Sequence, residues 1–218
     1  MGLTGITELS LGGRGPKRAF VFDEHRLALP CWAKAGARGA LLISFDRHFD
    51  TVPPRAPPHA DLERYARDEL DPRNFDHIPA AVQAGVLSGA VLVARARPPG
   101  AVTEPYVTAP TLDALLQRDD VMPLLEAAPA TVLDFDLDCF TSPSDADPTT
   151  VVPWSKELIR DHVLPRGSER FWEAALSKCL ALTFAREPKH CGGLVAGGRL
   201  FELAAGVVFE ELLQTDLP

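Results

Sequence analysis

Apolar residues along this chain gather into short, nearly unbroken runs, separated by stretches in which they recur at helical spacing. Ala19–Phe22, Gly39–Phe45, Ala90–Ala94, Thr131–Asp138 and Leu180–Ala185 have the length of strands, with a weaker run at Tyr106–Thr108. The first two runs, with a helical segment between them, make a βαβ unit, which favours a parallel sheet. The intervening spacing predicts helices near Leu27–Ala37, Asp61–Leu70, Ile78–Leu87, Leu112–Gln117, Met122–Ala127, Ser155–Val163, Glu169–Cys179 and Leu200–Leu213. Residues 1–16 are Gly-rich and weakly periodic and read as a loose lead-in, and 95–110 as a Pro-rich stretch around the weak strand. Strand and helix alternate without repeats or a break in composition. The expectation is one α/β domain over 1–218, three-layered, with a mostly parallel sheet and helices on both faces.

Composition narrows the function classes only slightly. The 218 residues are 46% hydrophobic and 24% charged, as in an ordinary globular protein. The formal net charge of −8 argues against a nucleic-acid surface. No apolar run is long enough to span a bilayer, and the start of the chain lacks a basic-then-apolar signal pattern. Cys31, Cys139, Cys179 and Cys191 are widely spaced with no CxxC, so they read as reduced thiols in a cytoplasmic protein. Nothing in the sequence points to an oligomeric state.

Candidate chemistry stands at the ends of the predicted strands. In Asp46-Arg47-His48-Phe49-Asp50, an extended backbone would put positions 46, 48 and 50 on one face, just past the carboxyl end of a parallel strand. Ligands of open α/β sheets bind there. In Val132-Leu133-Asp134-Phe135-Asp136-Leu137-Asp138, the same period puts three carboxylates on one face and Leu133, Phe135 and Leu137 on the other. Three neighbouring carboxylates opposite a core face repel one another and are costly to desolvate, so a cation is expected among them. Asp134 lies deepest and is expected to accept a proton from a ligating imidazole rather than to ligate. His25 follows the first predicted strand and is a further imidazole for the same ion. Oxygen donors with one or two imidazoles suit a hard or borderline ion such as Mn²⁺. The Pro-rich loop 51–60 follows the first cluster directly and is expected to lie over it.

Glu24-His25, Ser44 to Asp50 and Leu133 to Phe140 together resemble the ureohydrolase (arginase/agmatinase) superfamily. The closer likeness is to a short, divergent branch that includes the peptide arginases of ribosomal-peptide (RiPP) biosynthesis. Elements follow the family's order from about residue 18 to 188, although the specific motifs cover only some twenty residues. The resemblance implies an arginase-like fold and two Mn²⁺ ions. One would be held by His25, Asp46, Asp50 and Asp136, the other by Asp46, His48, Asp136 and Asp138, with Asp46 and Asp136 bridging and Asp50 counted among the catalytic residues. It implies hydrolysis of arginine to ornithine and urea on the side chains of an Arg-containing precursor peptide, by water made acidic between two cations. The chain departs from the arginases in two places. Asp23-Glu24-His25 stands where they have Gly-Gly-Asp-His, and Cys139-Phe140-Thr141-Ser142-Pro143 follows Asp138 instead of Gly-Leu-Asp-Pro.

A departing amine needs a proton and a guanidinium needs a carboxylate. For these roles the sequence offers His77 and Asn74, in Asn74-Phe75-Asp76-His77, and Glu187 after the last strand, with His59 a weaker substitute for His77. Other readings compete with the peptide substrate. A small guanidino compound such as free arginine or agmatine is the nearest. A one-zinc deacetylase-like amidohydrolase and a metal-stabilised binding protein also fit part of the pattern. Phe135 to Thr141 echoes the nucleophile loop of haloacid-dehalogenase-type phosphatases, but the Gly after its second Asp and a later acidic pair are missing.

Overall fold

A computed structural model of the chain describes residues 5–12, 15–96, 105–147 and 149–214. Its strands are β1 (Thr7–Ser10), β2 (Arg18–Phe22), β3 (Ala40–Asp46), β4 (Leu87–Ala94), β5 (Tyr106–Ala109), β6 (Thr131–Asp136), β7 (Thr141–Pro143), β8 (Val151–Pro153) and β9 (Cys179–Ala185). Its helices are α1 (Ala28–Lys34), α2 (Leu62–Asp68), α3 (His77–Gln83), α4 (Leu112–Leu116), α5 (Val121–Ala127), α6 (Lys156–Val163), α7 (Glu169–Leu176) and α8 (Leu194–Ala205). The 3-10 turns His25–Leu27 and Leu137–Phe140 follow β2 and β6, and a π-helical stretch, Gly206–Leu212, continues α8.

A seven-stranded sheet runs in the order β1-β2-β9-β6-β3-β4-β5, and only the β1–β2 pair is antiparallel. Strand period decides the layers. Leu41, Ile43, Phe45, Leu133, Phe135, Leu182 and Phe184 point into a core with α4 to α8, while Phe20, Phe22, Leu42, Leu92, Val132 and Ala181 point into a second core with α1 to α3. The fold is therefore three-layered α/β with a mostly parallel sheet, as the apolar pattern predicts. From β3 the chain steps outward to β4 through α2 and α3 on one face. From β6 it steps the other way to β9 through α6 and α7 on the opposite face. The chain thus parts at the β3/β6 boundary and leaves a crevice outside the strand ends, where this class of sheet binds ligands.

Several elements differ from the sequence expectation. Residues 7–10, expected within a loose lead-in, pair with β2, so the sheet gains an antiparallel edge; residues 1–4 and 13–14 of that lead-in lie outside the described residues. The β2–α1–β3 unit does not pair its own strands, because β9 and β6 insert between them. The helix expected over Ile78–Leu87 stops at Gln83, and Leu87 already belongs to β4. The last helix begins at Leu194 rather than Leu200; a single core-facing periodicity is hard to read through Gly197 and Gly198. The small β7–β8 hairpin has no counterpart in the pattern, since Pro143 and Pro153 hide its strands. Of the Pro-rich stretch 95–110, residues 97–104 lie outside the described residues. No helix among the described residues is long and apolar enough to cross a membrane.

Behind the strand ends, on α6, the His162 ring packs edge-on against Phe45, Phe140 and Trp154. Its Nε2 is buried without a hydrogen-bond partner. Burial, with the nearby Arg95 guanidinium, lowers its pKa from 6.5 to about 4. The unfolded chain takes up this proton near 6.5 and the folded chain only near 4. The stability from burying the neutral ring is thus complete above 6.5 and is lost as pH falls toward 4. His162→Phe should remove that slope: the unfolding free energy of wild type from urea titrations should fall relative to the variant by up to about 3 kcal/mol across this window.

Candidate metal centre

Four parallel strands deliver polar groups to one edge of the sheet. His25 follows β2, Asp46 ends β3, Asp136 ends β6 and Glu187 follows β9. One residue row deeper, Ser44, Asp134 and Thr183 stand side by side on three paired strands. Ser44 Oγ donates to Asp134 Oδ2 at 3.0 Å and Thr183 Oγ1 to Asp134 Oδ1 at 2.5 Å, so both carboxylate oxygens are fixed. Asp134 Oδ2 also accepts from His25 Nε2 at 2.7 Å, which turns His25 Nδ1 toward the strand ends.

Around Nδ1 the carboxylates converge. Asp136 Oδ2 is 3.1 Å away, Asp50 Oδ2 3.2 Å and Asp46 Oδ2 3.6 Å. Neither His25 Nδ1 nor Asp46 Oδ2 has a hydrogen-bond partner although both are buried. On the other side, His48 Nδ1 lies 3.3 Å from Asp138 Oδ2 and 3.8 Å from Asp46 Oδ1. Two groups with the spacing of a metal site result, His25/Asp46/Asp136 and Asp46/His48/Asp138, and they share Asp46. Asp46 offers one oxygen to each histidine. Buried imidazole and carboxylate donors of this kind fit a hard or borderline divalent cation.

The convergence is achieved by turns, which corrects the picture of two long flat strands. β3 ends at Asp46, and Asp50 reaches the cluster from a left-handed backbone at φ 45°. β6 ends at Asp136, and Asp138 sits in the following 3-10 turn, with its N–H bonded to Asp136 Oδ1 at 3.2 Å. The N–H groups of Arg47 and His48 donate to Asp138 Oδ1 and Asp46 Oδ1 at 3.3 and 2.7 Å. All five aspartates, 46, 50, 134, 136 and 138, are buried, whereas His48 stays half-exposed.

Electrostatics reflect that crowding. Burial, then neighbouring carboxylates, pushes the Asp46 and Asp136 carboxyls well above the usual range. Burial disfavours charged His25, but Asp134 and Asp136 outweigh it and hold its imidazolium well above 6.5. Conversely, His25 overcomes burial at Asp134 and lowers that carboxyl. A divalent ion at His25 Nδ1 would take over from the proton the task of balancing the carboxylates.

Asn74 and Glu187 lie together beside His25. Glu187 Oε1 accepts from the His25 N–H at 3.2 Å and from Asn74 Nδ2, while Asn74 Oδ1 accepts from the Arg26 N–H at 3.2 Å. Both border a cavity of about 290 Å³ with Asp23, Glu24, Lys189 and His190. Burial raises the Glu187 carboxyl. His77 is wholly buried, with its ring 4.2 Å from that of His25 and Nδ1–H donating to the Asn74 carbonyl at 2.9 Å. Burial and the neighbouring His25 hold it at about 4, and it borders none of the cavities that open on the cluster. His77, Asp50 and His25 form a third group with metal-site spacing. His59 is not at the site: its Nε2 meets Glu69 at 3.0 Å, and Tyr65 Oη holds the loop through Ala56 O at 2.5 Å. The Pro-rich loop thus packs back on α2, and only Thr51 and Val52 border a cavity at the cluster.

A second cavity, of about 460 Å³, opens on the His48 side. Arg47 and Asp138 border it, and Lys189 and His190 border both cavities. Lys189 and His190 carried no role in the sequence reading. The signal was available in Glu187-Pro188-Lys189-His190, a basic pair directly after a strand-end carboxylate. The four cysteines are buried and free. No protein-family model matches the chain, nor does any curated protein.

The raised Asp46 carboxyl means that the ion-free fold is penalised as pH climbs above the ordinary carboxylate range. In EDTA near pH 8, Asp46→Asn should therefore raise stability. With a divalent ion present the order should reverse, because only wild type keeps the shared ligand. Thermal unfolding of both proteins with and without Mn²⁺ measures the crossover.

Proposed function

We propose that this chain is a dinuclear manganese hydrolase of guanidino groups, converting arginine side chains of a precursor peptide to ornithine with release of urea. The observation that carries the reading is Asp46, which presents Oδ2 to His25 and Oδ1 to His48 and so links two metal-site groups into one centre. That arrangement favours two ions over the single zinc of a deacetylase-like enzyme. His25, Asp46, Asp50 and Asp136 would hold one Mn²⁺; Asp46, His48, Asp136 and Asp138 would hold the other. Bound ions supply Lewis acidity that makes a water nucleophilic near neutral pH. The likeness to ureohydrolases at Glu24-His25, Ser44 to Asp50 and Leu133 to Phe140 supports the guanidino substrate. The site opening into two cavities supports a peptide over a small enclosed molecule.

The chain's own residues then divide the work. Asp134 orients His25 through Nε2. Glu187 Oε1 is held by two donors, which leaves Oε2 to face the guanidinium. Asn74, braced by His77 Nδ1–H on its carbonyl, fixes that carboxylate. His77 is buried and neutral, so its place is that of a brace. His190, on the cavity wall 3.7 Å from Glu187 Oε2, is the imidazole positioned to give the departing amine its proton. The four buried thiols accord with a reducing, cytoplasmic setting.

Incubation with Mn²⁺ and Arg-containing peptides, read by mass spectrometry and a urea assay, tests the reading. Urea and ornithine should form together, and Asp46→Asn or Asp136→Asn should abolish both. His190→Gln should lower kcat about 10²- to 10⁴-fold with the metal content unchanged. Bound manganese with no urea from any guanidino compound would overturn the proposal and leave a metal-stabilised binding protein. Turnover of free arginine or agmatine, with none of peptides, would overturn the peptide part alone.

A further inference from the structure

Resting on the guanidino-hydrolase reading, we infer that the cavity on the His48 side is a carboxylate subsite in which Arg47 and Lys189 grip an acidic group of the substrate. The two residues come from separate elements. Arg47 follows β3 directly, and its backbone is fixed at both ends, with its N–H on Asp138 Oδ1 at 3.3 Å and its carbonyl accepting from the Ala96 N–H at 2.8 Å. Lys189 sits in the turn after β9, which is closed by the His190 and Cys191 N–H groups on the Glu187 carbonyl at 2.8 and 3.0 Å. Both border the cavity of about 460 Å³ that has Asp138 in its wall.

Pairing sets these two cations apart. In a chain of net charge −8, neighbouring arginines already have acids: Arg26, on the wall of the first cavity, donates Nε to Glu24, and Arg186, next to Glu187, donates Nε to Asp23, each at 2.8 Å. Among the described residues, no carboxylate pairs with the side chain of Arg47 or Lys189. The threonine hydroxyls on the same wall are spent on Asp147, Thr149 Oγ1 at 2.7 Å and Thr150 Oγ1 at 2.9 Å. Two unneutralised cations facing one concavity beside a carboxylate cluster make a site for an anion supplied from outside. The planar guanidinium of Arg47 suits a carboxylate in two-point contact. Lys189 and His190 border both cavities, so the two lie side by side. A substrate with its guanidinium at Glu187 can therefore extend its acidic group to Arg47 and Lys189. That group is either the α-carboxylate of an amino acid or an acidic side chain next to the target arginine.

Two matched pairs of probes separate these sources. Arginine and agmatine differ by the α-carboxylate. The blocked peptides acetyl-Ala-Arg-Asp-Ala-amide and acetyl-Ala-Arg-Asn-Ala-amide differ by one side-chain charge. Calorimetric Kd and urea-derived kcat/KM are measured on the manganese-loaded full chain. In at least one pair the acidic member should bind about tenfold more tightly, and the pair that responds identifies the source. Arg47→Gln and Lys189→Gln, tested separately, should each bring the two members of that pair together. Equal affinities within both pairs, or a preference that survives both substitutions, would overturn the subsite. Absence of urea alongside a charge-dependent Kd would sink the hydrolase reading while leaving the subsite intact.

Discussion

The structure is organised around carboxylates that share a desolvated space. Asp46, Asp50, Asp134, Asp136, Asp138 and Glu187 are all buried within reach of His25 or His48. An isolated ionised group placed in such a space costs several kcal/mol, and adjacent like charges add to it. The fold meets part of that cost with hydrogen bonds. Ser44, Thr183 and His25 saturate Asp134, and backbone N–H groups of residues 47, 48 and 138 serve the aspartates at the strand ends. What remains uncompensated faces inward, at His25 Nδ1 and Asp46 Oδ2. A cation is the complement of that remainder, which is why the chemistry of the site follows from its electrostatics.

Sheet topology puts the remainder where a substrate can reach it. The chain leaves β3 and β6 toward opposite faces, so the layers part just where Asp46 and Asp136 end their strands. Backbone strain collects at the same place. Of the four described non-glycine residues with positive φ, three are Asp50, Asn74 and Glu187, each cramped in the left-handed region. Such conformations persist where the surroundings over-determine them. Here each swings one polar side chain back toward the strand ends: Asp50 to His25, and Asn74 and Glu187 to one another.

This geometry gives the two sides of the centre different characters. The Glu187 side is buried and hydrogen-bonded, and Arg26 on its cavity wall is paired with Glu24. The His48 side is half-exposed and carries unneutralised positive charge from Arg47 and Lys189. On the proposed reading, a bipolar ligand, cationic at one end and anionic at the other, would match both. The overall acidity of the chain gives no hint of this, since a sum of charges is blind to where each one sits.

Legibility in the sequence followed the range of the physics involved. Burial on both faces of a strand is a local property, so β3, β4, β6 and β9 could be read from unbroken apolar runs, and the three-layer fold with them. A carboxylate beside a core residue is equally local, and so His25, Asp46, His48, Asp50, Asp134, Asp136 and Asp138 stood out as a set. The route by which they meet did not. Period-two alternation suggested one flat face, whereas tight turns after Asp46 and Asp136 bring Asp50 and Asp138 inward. The antiparallel β1, with its Gly-rich surroundings, owes its existence to β2 as a template. The sequence offered His77 with His59 as its weaker substitute; packing against Trp32 and His25 buried the first, and Glu69 drew the second away. By itself the sequence determined which residues have the chemistry to hold a cation and which strands carry them. Only the tertiary structure decided that Asp46 faces both histidines, that His190 and Lys189 join the site, and that Arg47 lacks an acid. Those are relations between segments far apart in the chain, set by which strands became neighbours.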